Sequence, residues 1–82
     1  MSFLAEQINS VLGHADLSNF LAEQTNAINN AYATQQVSAE ERDALLNDLV
    51  NTNVVFQGAS DQDMRVFLDR VLTVVKSAPF PS

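Results

Sequence analysis

Apolar positions along this chain recur with the period of a helix, and the breaks between them carry helix-ending residues. Phe3, Leu4, Ile8, Val11 and Leu12 make an i, i+4, i+7, i+8 stripe that stops at Gly13, as expected of an amphipathic helix on a core. A glycine just past such a stripe can take positive φ without a Cβ penalty, so a first helix is expected over 3–12, closed by Gly13. Leu17, Phe20, Leu21, Ile28, Ala31 and Tyr32 line the face of a second helix over 17–35, broken only by Gln24. Asp16 or Ser18 is its expected N-cap, since either side chain accepts from the free amides of a first turn.

Ser38-Ala39-Glu40-Glu41 has the form of a capping box, with Ser38 as N-cap and Glu41 reaching back. Leu45, Leu46, Leu49 and Val50 follow at helical spacing and give a third helix over 39–55. Its end stays open: Asn51, Thr52 and Asn53 are weak helix formers, and Val54-Val55-Phe56 reads either as a frayed turn or as a loop plugging the core. Gly58 separates it from a fourth helix over 61–77, whose Asp61 and Asp63 suit the positive end of the helix dipole and whose Lys76 suits the negative end. Met64, Phe67, Leu68, Val71, Leu72 and Val75 form its stripe, and Pro79 forbids continuation. The expected fold is all-α, a small antiparallel bundle of four helices in one domain, 1–78, with a short tail, 79–82.

Two echoes run through this pattern. Phe3-Leu4-Ala5-Glu6-Gln7-Ile8-Asn9 and Phe20-Leu21-Ala22-Glu23-Gln24-Thr25-Asn26 share FLAEQ-x-N. More loosely, the Ser38 helix and the Ser60 helix share a cap, an acid and paired apolar positions. Two copies fall short of the roughly three a solenoid needs, so both read as similar helices of similar composition.

Composition narrows the function. Eighty-two residues with 46% apolar content support one modest core. The absence of cysteine removes disulfide scaffolds, cysteine-ligated zinc and thiol catalysis. A formal net charge of −6 argues against direct nucleic-acid binding. No apolar run approaches the ~20 residues of a membrane span, and no basic segment precedes an apolar one as in a signal peptide. A cytoplasmic location is expected, or a place in a virion if the chain is phage-encoded.

Candidate chemistry is thin. His14 is the only histidine, and its neighbours Ser10 and Asp16 lie around one helix end, whereas triads converge from separate elements. It reads as a polar loop residue at a helix C-terminus. Asp61 and Asp63 begin like a calcium loop, but Val66 and Leu72 stand where glycine and glutamate are required. Asp16-Leu17-Ser18 inverts the order of an acyl-carrier modification site, and Gly13 and Gly58 are too isolated for a phosphate cradle. No catalytic residue, metal ligand or cofactor is therefore assigned.

The charge distribution points elsewhere. Residues 1–41 contain no Lys or Arg, and the outer faces of the first two helices are expected to be largely amide: Gln7, Asn9, Asn19, Asn26, Asn29, Asn30, Gln35 and Gln36. Such faces make many hydrogen bonds without the cost of desolvating a charge, which suits a protein interface. On the fourth helix, Val66 and Val74 widen the apolar arc towards a flank, and Phe80 lies between two prolines in the tail. The expected function is a non-enzymatic helical interaction protein, an adaptor or small assembly subunit. Gln7, Asn26, Asn29, Asn30, Val66, Val74 and Phe80 are its candidate contacts, towards a protein partner or a second copy in a homo-oligomer. Small acidic helical chains of this type are common among bacteriophage accessory and virion proteins, an analogy of type only. The alternative is an acidic inhibitor that occupies a basic surface on a partner.

Overall fold

The computed structural model describes residues 3–54 and 61–77. Four helices account for nearly all of them: α1 (Phe3–Leu12), α2 (Ala15–Ala33), α3 (Ala39–Asn53) and α4 (Asp61–Lys76). Each packs on its neighbours in sequence, and α4 closes against α1, giving an all-α bundle. Side-chain bonds fix the directions. Asn29 meets Arg42 across the α2–α3 turn, and Arg42 at the start of α3 reaches the Lys76 carbonyl at the end of α4. Both pairs are therefore antiparallel.

The helix ends follow local chemistry. Gly13 has φ 66° and bonds back to the Asn9 carbonyl at 2.7 Å, so it turns the chain where a side chain would strain the backbone. The next residue already starts α2. His14 is the N-cap, its Nδ1 accepting from the Leu17 amide at 3.1 Å. Neither Asp16 nor Ser18 caps: α2 begins two residues earlier than its apolar pattern suggests, Asp16 sits in its first turn, and the Ser18 hydroxyl donates to the His14 carbonyl at 2.7 Å.

At its other end α2 stops at Ala33, short of Gln35. Gln36 N–H bonds the Ala31 carbonyl and Gln35 N–H bonds the Tyr32 carbonyl, with Gln35 at φ 62°. These two bonds define a Schellman cap, built here on a glutamine where glycine is usual. The capping box of α3 forms as expected, with Glu41 N–H to Ser38 Oγ and Ser38 N–H to Glu41 Oε1 both at 3.1 Å. Helix α3 ends at Asn53, and Val54 turns into the core as its C-cap. Val55, Phe56 and Gly58 lie outside the described residues.

The core is Leu4, Ala5, Ile8, Leu21, Ala22, Leu46, Val50, Val54, Val71 and Val75. Helix α2 enters it on an unexpected face. Its buried positions are Ser18, Leu21, Ala22, Thr25 and Asn29, about a quarter turn from the apolar stripe centred on Leu17 and Ile28. Phe20 is consequently exposed, and so are Phe3 on α1, at 70%, Leu45 on α3 and Met64 on α4. Beside Leu21 the small side chains of Ser18, Ala22 and Thr25 fill the interior, while Leu17, Phe20 and Ile28 are displaced to its edge or beyond.

The FLAEQ-x-N echo has a structural counterpart. In both copies the Phe, Glu and Gln are exposed, the Leu and Ala are buried, and the sixth position is buried. That position is Ile8 in α1 and Thr25 in α2.

Candidate functional site

Two regions depart from the usual partition of polar and apolar groups, one inside the bundle and one on its surface.

The inner one centres on Arg42, which is 91% buried by its 9% exposure. Its Nε donates to Asn29 Oδ1 at 2.7 Å, and an Nη2 contact reaches the Lys76 carbonyl at 3.4 Å. Its guanidinium carbon lies 5.9 Å from the Tyr32 ring centroid, within cation–π range. Asp43 lies 3.5 Å from Nη1 and is largely exposed. Arg42 thus joins α2, α3 and α4, placing its charge at the negative end of α4. Asn29 satisfies Arg42 through its oxygen, but its Nδ2 is buried with no partner among the described residues, as is Thr25 Oγ1 one turn earlier. Thr25 and Asn29 are fully buried, and Arg42 nearly so.

Asn29 therefore leaves the set of candidate contacts. It is fully buried, because the rotation of α2 turns its face inward. Its neighbours Asn26 and Asn30 are exposed, as is Gln7 on α1. Asn26 lines a shallow depression with Asn19, Ala22 and Glu23. Gln7 and Asn30 line neither this depression nor the groove described next, so the structure does not unite the amide positions in one concave site.

The outer region is a groove of about 430 Å³ between α1 and α4, lined by Val11, Val66, Asp69, Arg70, Thr73 and Val74. Val66 is 53% exposed, and Val74 is half-buried. The structure thus brings both sequence-derived flank valines together and adds Val11, which the sequence pattern assigns to the core stripe of α1. Asp69 and Arg70 line it too, both exposed, with Arg70 one turn from Val66 and one turn from Val74. Phe80, the remaining candidate contact, lies outside the described residues.

No protein-family model, curated protein or solved structure matches this chain. Among the described residues no cluster of His, Asp and Glu could hold a metal ion, and no helix is long and apolar enough to cross a membrane.

Proposed function

We propose that this chain is a non-enzymatic helical interaction protein, an adaptor or small assembly subunit, which engages protein through the α1–α4 groove. The observation that carries the reading is Val66, left 53% exposed beside Val11 and Val74. A set of exposed and half-buried aliphatic side chains with an arginine and an aspartate among them has the composition of a protein interface, where arginine is enriched. Fully burying an aliphatic side chain of this size releases roughly 1.5–3 kcal/mol, of which the isolated chain forgoes about half at the 53% exposed Val66. Capture from the native host with the wild-type chain and with Val66→Lys tests the reading. A protein retained by the first and lost by the second supports it; equal capture by both overturns it.

A second reading rests on a different observation. Arg42 is the only cation of α1, α2 and α3, and it is buried, so their outer surface presents acids without exposed basic groups. Such a surface could cover a basic site on a partner as an inhibitor. Its binding would weaken steeply with added salt, and a flat salt response would exclude it.

A further inference from the structure

We propose that the occupant of the α1–α4 groove is a second copy of this chain, its α4 packed antiparallel so that Asp69 of each copy pairs with Arg70 of the other. The inference rests on the groove being an interface, as proposed above, and names what fills it. A two-fold contact must be self-complementary: if one residue meets another, the second must meet the first. Asp69 and Arg70 meet that condition as adjacent opposite charges on the groove-lining face of α4, Arg70 between Val66 and Val74 on one row and Asp69 beside it. Both are exposed, and among the described residues neither side chain has an ion-pair partner. An antiparallel register that sets residue 69 opposite residue 70 satisfies two carboxylates and two guanidiniums at once. It also brings Val66 of each copy against Thr73 and Val74 of the other. Val66, Arg70 and Val74 stand four residues apart, the spacing of a ridge that packs into a neighbouring groove.

The charge layout independently favours a second copy at this helix. A second copy brings the same net charge of −6, so most approaches set like charge against like. Helix α1 carries Glu6, α2 carries Asp16 and Glu23, and α3 sets Glu40, Glu41, Asp43 and Asp48 against Arg42 alone. Only α4 is balanced, with Arg65, Arg70 and Lys76 against Asp61, Asp63 and Asp69. Within a screening length of about 8 Å at physiological salt, α4 is the one helix on which two copies can meet without net repulsion.

Sedimentation equilibrium on the full chain up to about 1 mM, the weak end of specific association, tests this. The wild type is expected to dimerise. Asp69→Arg leaves two cations on each contact face and Arg70→Asp leaves two acids, so each variant alone should dimerise more than tenfold more weakly, with unchanged circular dichroism. An equimolar mixture of the two restores both cross-pairs and should dimerise again, as should the double variant D69R/R70D. A dimer indifferent to the single reversals, or reversals that neither mixing nor the double swap rescues, would overturn the register. A wild type monomeric throughout overturns the second copy as occupant; Val66-dependent capture of a different protein would then show the groove to be an interface for a heterologous partner.

Discussion

On the buried side of α2 the chain encloses Ser18, Thr25 and Asn29 together with Arg42, while between α1 and α4 it leaves Val66 in solvent. The two regions invert the ordinary sorting of side chains, and they do so with different consequences. A buried polar group must find a partner within the fold, because water cannot reach it; leaving it unpaired costs about 1–3 kcal/mol. An exposed valine costs the folded monomer little, since solvated apolar surface is common on any protein. The interior inversion is thus an internal matter of stability and specificity. The surface inversion has no remedy among the described residues and gains only when something covers it. Mutations should separate the two: changes in the interior should move stability, and changes at the groove should move association alone.

The largest effect is expected at Arg42. Arg42→Met should lower unfolding free energy by about 2–3 kcal/mol, because it removes a charged hydrogen bond and leaves Asn29 buried without either bond. Adding Asn29→Leu removes the orphaned amide as well, and the double variant should regain most of the loss. Urea unfolding of the four members of this cycle measures the coupling, expected at about 1 kcal/mol or more. Strict additivity would show that the Asn29 bond contributes nothing and that Arg42 acts through its other contacts, with Tyr32, Asp43 and the Lys76 carbonyl.

Next in size is Thr25→Val. The substitution keeps the shape and removes a hydroxyl that has no partner among the described residues, so it should stabilise the chain by about 1–2 kcal/mol. The echo makes the expectation sharper, since the matching buried position in α1 is already aliphatic, at Ile8. A loss of stability in thermal or urea unfolding would mean that Thr25 Oγ1 is satisfied in solution, by water or a shifted rotamer.

How far the sequence discloses this arrangement depends on whether a local signal decides the outcome. Ser38 and Glu41 satisfy one another within a single turn, so the α3 cap is legible from four residues. Gly13 is legible for the same reason. The face of α2 is not, because Leu17, Phe20 and Ile28 outscore Ser18 and Thr25 in apolar content, yet tertiary packing decides which face enters. Small side chains admit the neighbouring helices at short range, and Arg42, thirteen residues beyond Asn29, supplies a partner that no local window contains. His14 reads as a helix end, which is correct, but as the end of α1 when its nitrogen in fact starts α2. At the groove, the Val66 and Val74 flank is visible as a widened arc on α4, whereas Val11 joins it only through the packing of α1 on α4.

A smaller gain is expected at the α2–α3 turn, next to the Arg42 cluster. Gln35 holds φ 62°, a conformation that costs a residue with a Cβ about 1–2 kcal/mol. Gln35→Gly relieves it but adds freedom to the unfolded chain, so the net stabilisation should be about 0.5–1 kcal/mol. The midpoint of urea unfolding should rise while its slope stays constant. An unchanged midpoint would indicate that Gln35 side-chain contacts offset the strain.

The smallest effect on folding belongs to the groove, and its smallness is the point. Val66→Gln replaces an exposed valine by a residue of better helix propensity, so monomer stability should move by no more than about 0.5 kcal/mol in dilute solution. In the same variant, association at high concentration should fall sharply if the valine is covered in the assembled state. Measured together, dilute urea unfolding and concentration-dependent sedimentation distinguish the two kinds of inversion within one side chain. A stability loss comparable to that of Arg42→Met would place Val66 in the core of the monomer, and the groove would then be part of the fold's interior rather than an interface. Stability unchanged with association lost assigns Val66 to contacts between molecules, the role proposed for it.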